Sequence, residues 1–109
     1  MEHRACLGEG VDAYSLGEIE IQSGATVAQD AYICTGTHDF TKPSMQLITK
    51  KIIIGPNSFI GARAMILPGV KIGKNSIIGA QAVVTKDTKT DEIVAGNPAK
   101  IIGKRTIAK

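Results

Sequence analysis

Residues 54–89 divide without remainder into Ile54-Gly55-Pro56-Asn57-Ser58-Phe59, Ile60-Gly61-Ala62-Arg63-Ala64-Met65, Ile66-Leu67-Pro68-Gly69-Val70-Lys71, Ile72-Gly73-Lys74-Asn75-Ser76-Ile77, Ile78-Gly79-Ala80-Gln81-Ala82-Val83 and Val84-Thr85-Lys86-Asp87-Thr88-Lys89. Every unit opens on an aliphatic residue and has a compact one at its fifth place: Ser58, Ala64, Val70, Ser76, Ala82 and Thr88. A helix repeats every 3.6 residues and a half-buried strand every 2, so neither keeps an aliphatic side chain at each sixth place. A parallel β-helix does, with three hexapeptides to each triangular coil and coils stacked at the strand spacing of about 4.8 Å. The aliphatic residue points into the prism and the compact one packs near a corner. Gly55, Gly61, Gly73 and Gly79, with Asn57 and Asn75, suit turns in which φ is positive.

The rhythm extends upstream through Ile21, Val27 and Ile33, with Ala25, Ala31 and Thr37 at the compact places. Leu7-Gly8 with Val11 reads as one earlier unit, Ala13 to Glu20 as a bulged corner, and Met1 to Cys6 as a start outside the coil. After His38 the phase breaks, and it resumes with Ile48 and Ile52. A solenoid accommodates an insertion only at a corner, so residues 39–47 are expected to project as a loop, where function often resides. Beyond Lys89, Ile93-Val94 adds a strand, Ala95 to Lys100 turns to close the prism, and Ile101 to Lys109 supplies a short basic strand or helical turn. The whole is read as one domain, 1–109, all-β, with a C-terminal cap from about residue 90.

Thirteen basic and ten acidic residues leave a net charge of +3. The lysines are scattered, with Lys100, Lys104, Arg105 and Lys109 the densest group, so nucleic acid is not implied, although a polyanionic small molecule could use this tail. No apolar run approaches membrane-spanning length and no signal-peptide segment is present, which makes the cytoplasm the default. Cys6 and Cys34 have no metal-site spacing and read as reduced structural thiols.

Two imidazoles, His3 and His38, can titrate near neutral pH, and His38 stands where the loop departs. It could accept a proton from a hydroxyl or an amine as a general base. The shortage of histidines disfavours zinc, and there is neither a phosphate-binding Gly-Lys-Ser/Thr loop nor a Gly-x-Ser-x-Gly elbow.

The segments Ile33-Cys34-Thr35-Gly36-Thr37-His38-Asp39-Phe40, Pro68-Gly69-Val70-Lys71-Ile72-Gly73, Val84-Thr85-Lys86-Asp87 and Ala95-Gly96-Asn97-Pro98-Ala99-Lys100 carry a resemblance. The chain resembles the hexapeptide-repeat acyltransferases, in the maltose/galactoside O-acetyltransferase branch and most like the colanic-acid type. The resemblance implies a left-handed β-helix, an exception to the right-handed crossover rule. It further implies a homotrimer with sites between neighbouring prisms, acetyl-CoA as donor and no metal. By position, His38 becomes the general base for direct transfer to a hydroxyl of a sugar or saccharide intermediate, with a corner backbone N–H for the oxyanion. Phe59 takes an aromatic wall place, and the loop from Asp39 to Leu47 shapes the acceptor pocket. Either Asp39 or a backbone carbonyl would orient the imidazole. Ala62, Ala80, Thr85 and Lys86 would flank the pantetheine arm, and Lys100 and Lys104 would meet the CoA phosphates. Ser15 stands where relatives commonly place an acceptor-holding Asn, and relatives usually carry tens of residues before the coil of Leu7, so the acceptor half is expected to depart furthest from the family pattern. Two other readings are a non-catalytic trimeric scaffold or CoA-binding module, and an N-acetyltransferase acting on an amino sugar.

Overall fold

The computed structural model describes residues 6–7, 12–14, 18–38 and 41–107. These form short strands joined by tight corners, with no helix among them. The chain is a left-handed parallel β-helix. Face one stacks Cys6–Leu7, Thr26–Val27, Phe59–Ile60, Ile77–Ile78 and Glu92–Ala95 in parallel. Face two stacks Asp12–Tyr14, Tyr32–Cys34, Met65–Ile66 and Val83–Val84, and face three Ile19–Ile21, Ile52–Ile54 and Lys71–Ile72.

Register turns the hexapeptide pattern into columns. Val27, Ile60, Ile78 and Val94 lie one above another inside face one, and Ile21, Ile54 and Ile72 inside face three. All of these are buried, as are the compact residues Ser58, Ala64, Val70, Ser76, Ala82 and Thr88. Where a compact residue is polar it is satisfied internally. The Ser58 hydroxyl donates to the Gly55 carbonyl at 2.6 Å, the Ser76 hydroxyl to the Lys89 carbonyl at 2.7 Å, and the Thr88 hydroxyl to Ser76 at 3.1 Å. Unpaired, such groups would be costly in so narrow a core.

Most corners are four-residue turns closed by an N–H···O=C bond, as from Ser58 to Gly55, Ala64 to Gly61 and Ala82 to Gly79; the corner at 85–88 is not, and there the Thr88 N–H donates to the Lys71 carbonyl of the preceding coil. φ is positive at the third place, at Asn57, Arg63, Asn75 and Gln81, which is the type II signature. The expectation that Gly55, Gly61, Gly73 and Gly79 serve positive φ is therefore corrected: they occupy the first place of the corner, and none of them has positive φ. What they need is room. A Cβ on Gly61 would stand 2.6 Å from the Ala80 nitrogen and 2.7 Å from the Ile78 carbonyl of the next coil.

The phase break resolves differently from a simple loop. Gly36–His38 pairs antiparallel with Leu47–Thr49, in the register Gly36 to Thr49, Thr37 to Ile48 and His38 to Leu47. The insertion is thus a β-hairpin arm, and the coil resumes at buried Ile52. Ile48, expected inside the prism, is half-buried on the arm and pairs with Thr37. The alternation of aliphatic residues across 48–54 does not distinguish a hairpin stem from a coil strand. Cys34, half-buried, donates its thiol to the Gly36 carbonyl at 3.2 Å where the arm begins.

At the other end Lys100–Lys104 folds back antiparallel on Glu92–Ala95. The Arg105 side chain then reaches the carbonyls of Asn57 at 2.7 Å and Asn75 at 3.3 Å, while its N–H donates to the Asp91 carbonyl at 2.7 Å. The tail therefore ties three successive coils along one corner.

Candidate active site

The arm leaves the prism at the corner between faces two and three and carries His38 at the end of its outgoing strand, exposed to solvent. Lys42 and Met45 close the arm's turn through an N–H···O=C bond of 2.9 Å from Met45 to Lys42. Met45 lies in the left-handed region, with φ 47°. Its carbonyl thereby comes 2.8 Å from Nδ1 of His38. A carbonyl can only accept, so Nδ1 is the donor, and in the neutral ring the lone pair is then on Nε2. The imidazole is held in the tautomer that a base requires, and a backbone carbonyl is its orienting partner.

The residues expected at the donor site fall along face two. Ala62 and Ala80 sit at the corner leading into its strands Met65–Ile66 and Val83–Val84, and Thr85 and Lys86 leave the second of these. Ala62 is half-buried, while Ala80, Thr85 and Lys86 are exposed. Tyr32, Met65 and Val83 are in register on the outer side of this face, with Met65 38% exposed. Small side chains at one border and a cation at the other suit a long, thin, anion-terminated arm lying across it. Phe59 lies apart, on the outer ladder of face one with Thr26 and Ile77, and is 39% exposed.

Where the last coil closes, a cavity of about 250 Å³ is lined by buried Val84 and Val94 and by exposed Lys86, Asp87, Lys100 and Ile101. Lys86 and Lys100 thus converge, although they are far apart in sequence. Buried Glu92 also lines this cavity, while its register partner Lys104, at the far end of the closing strand, does not. Ser15 and Asp39 lie outside the described residues. His38 and the corner of Ala62 and Ala80 stand on different edges of the prism.

Sequence reasoning missed Met45. Its contribution is a backbone carbonyl, which no residue type encodes, although a turn closing beside His38 was the place to look for one. Among the described residues no group of three His, Cys, Asp or Glu could hold a metal ion, and no helix is long and apolar enough to cross a membrane.

Comparison with known proteins bears on this geometry. Residues 51–86 match the bacterial transferase hexapeptide model of six repeats. The chain is 34% identical over 101 residues to the putative colanic acid biosynthesis acetyltransferase WcaF of Escherichia coli, spanning 93% of this chain and 56% of WcaF. Among solved structures it resembles a maltose O-acetyltransferase from Clostridium difficile, with TM-score 0.80 and 31% identity over 95% of this chain and 60% of that one. It also resembles AntD, an N-acyltransferase from Bacillus cereus crystallised with dTDP-4-amino-4,6-dideoxyglucose and coenzyme A, with TM-score 0.85 and 25% identity over 94% of this chain and 61% of AntD. The chain spans little more than half the length of these relatives. Residues 51–86 thus carry the bacterial transferase hexapeptide repeat, and over nearly its whole length the chain is similar to a maltose and to a colanic-acid acetyltransferase.

Proposed function

We propose that the chain carries the base and the donor face of an acetyl-CoA-dependent O-acetyltransferase whose acceptor is a hydroxyl of a sugar or saccharide intermediate. One observation carries the reading: the 2.8 Å contact between His38 Nδ1 and the Met45 carbonyl leaves Nε2 as an acceptor on an exposed arm. The likenesses to a maltose O-acetyltransferase and to WcaF support the saccharide acceptor, and the coenzyme A in the AntD complex supports the donor. Residues of this chain fit such a donor, with Ala62 and Ala80 narrow enough to admit its arm and Lys86 and Lys100 able to meet its phosphates.

When bound, acetyl-CoA supplies an acetyl group activated as a thioester. Nε2 of His38 takes the acceptor's hydroxyl proton as the new C–O bond forms, and returns it to the departing sulfur as the C–S bond breaks. The Met45 carbonyl stabilises the imidazolium through Nδ1–H in the interval. No protein-bound acyl group is required. Ser15, Asp39 and Phe59 remain candidates for holding the acceptor. Because base and donor corner lie on different edges, we assign the complete site to the junction of neighbouring prisms in a homotrimer, working in the cytoplasm where acetyl-CoA is formed. Transfer to an amine is the second reading, favoured by the likeness to AntD, since Nε2 would serve an amino group equally well.

The test is His38→Ala, followed by acetyl-CoA binding in a calorimeter and thiol release with a panel of sugars and amino sugars. The expected outcome is unchanged acetyl-CoA binding and a fall in turnover of about 10²–10⁴-fold. Turnover that survives the substitution removes His38 as the base. A folded protein that ignores acetyl-CoA leaves a non-catalytic scaffold as the better account.

A further inference from the structure

On the arm, His38 and Leu47 are directly opposite in register, as are Gly36 and Thr49. Residues facing each other across an antiparallel pair project from the same side, with Cβ atoms about 4.5–5.5 Å apart. Thr37 and Ile48 project from the other side, where Ile48 is half-buried. The side that bears the base thus carries Leu47, Thr49 and, next to His38 along its own strand, a glycine without a side chain. Leu47 is 48% exposed. A leucine so exposed beside the imidazole stabilises nothing in the prism, and a polar residue would serve a solvated hairpin as well. Gly36 leaves the adjoining space open, so a flat group can approach the imidazole over the leucine.

We infer that Leu47 is a specificity-determining residue, an apolar platform on which a C–H face of the acceptor ring rests while the adjoining hydroxyl points at Nε2 of His38. The inference rests on the acetyl-transfer reading and adds the chemistry of the acceptor: a pyranoside whose reacting hydroxyl borders an axial C–H surface. A ring that turns an axial hydroxyl toward the leucine would have to bury that group without a partner and is disfavoured. Glucosides and galactosides differ in the C4 hydroxyl, axial in the galactosides, and are distinguished where the ring face bearing it is the one turned to the leucine.

The experiment compares the protein with Leu47→Thr, which keeps β propensity on an exposed arm, and with Leu47→Met, which keeps apolar volume. The probes are methyl β-D-glucopyranoside, methyl β-D-galactopyranoside and their 2-amino counterparts, with acetyl-CoA as donor. Leu47→Thr is expected to raise KM for the preferred glycoside about tenfold. It is expected to leave kcat, the KM for acetyl-CoA and the pH–rate profile unchanged within about twofold, and to narrow the preference between the two sugars. Leu47→Met should stay within about threefold of the parent in all respects. Equal acceptor KM values in parent and Leu47→Thr overturn the platform while leaving the acetyltransferase intact. A parallel fall in kcat and a shifted pH profile would show Leu47 to be a support for His38 instead. A parent inert toward every probe removes the acetyl-transfer reading for simple glycosides and the platform with it.

Discussion

A single backbone torsion brings a carbonyl to the ring of His38. Met45 adopts φ 47°, a region that costs a side-chain-bearing residue about 1 kcal/mol, and in doing so presents its carbonyl to His38. Met45→Gly should accept this torsion and keep the carbonyl, so kcat is expected within about twofold of the parent. Met45→Pro cannot adopt it and also loses the N–H that donates to the Lys42 carbonyl. With Nδ1 released, kcat should fall about tenfold or more. Acetyl-CoA binding and the melting temperature should hold, because the arm lies outside the prism. Steady-state kinetics beside a thermal melt decide the matter, and equal losses in both variants would put the strain, not the carbonyl, in control. The sequence made His38 legible because an imidazole at a phase break is conspicuous. It left Asp39 and a carbonyl as rival partners, since residue letters report side chains and this partner is backbone.

At the scale of the coil, glycine records which corners are tight. Gly55 and Gly73 begin the corners between faces three and one, and Gly61 and Gly79 those between faces one and two; the third corner begins with Leu67 and Thr85. Over residues 54–89 the order Gly, Gly, other at the first place therefore marks the three edges of the prism, and the edge whose corners do not open on glycine is the one from which the arm departs. That phase was present in the sequence, although the reason first attached to it, positive φ, was the wrong one. Spacing reveals that a side chain is excluded but not whether torsion or a neighbouring coil excludes it. The two causes predict different costs. At Gly61 a methyl group meets backbone at 2.6–2.8 Å, which cannot yield without parting the coils. Gly61→Ala should cost about 2–3 kcal/mol, read as a lower urea midpoint. At Gly69, with φ +81°, the nearest atoms belong to the flexible Lys50 side chain at 3.2 Å. Gly69→Ala should therefore cost only about 1 kcal/mol, the torsional share. Equal costs would mean that the coils breathe apart more readily than their spacing implies.

The whole molecule is a rod of 53 × 28 × 21 Å, and its proportions decide what one chain can and cannot do. Columns of isoleucine and valine fill the prism among the described residues, which leaves its faces and its end to meet substrates. The prism itself was legible from period alone, because each repeat places its aliphatic residue in the same column. Which outer face meets what was not legible, since outward residues are constrained by partners whose sequence is not a matter of period. Base and donor corner stand on different edges, which a threefold assembly would reconcile by setting the arm of one prism against face two of the next. This arrangement has a consequence that no single-chain site shares. His38→Ala removes the base, and Ala80→Trp, at an exposed corner, blocks the donor face without touching the core. Each variant alone should be inactive. Co-expressed with different tags and purified through both, the pair should regain activity, since every mixed trimer sets an intact arm against an intact face at one of its three junctions, about one site in three. The measure is turnover per chain relative to the parent. Recovery near that fraction requires that neighbouring chains share each site, whereas a mixed assembly as inactive as its components would place base and donor on one chain and call for a movement of the arm across the prism to join them.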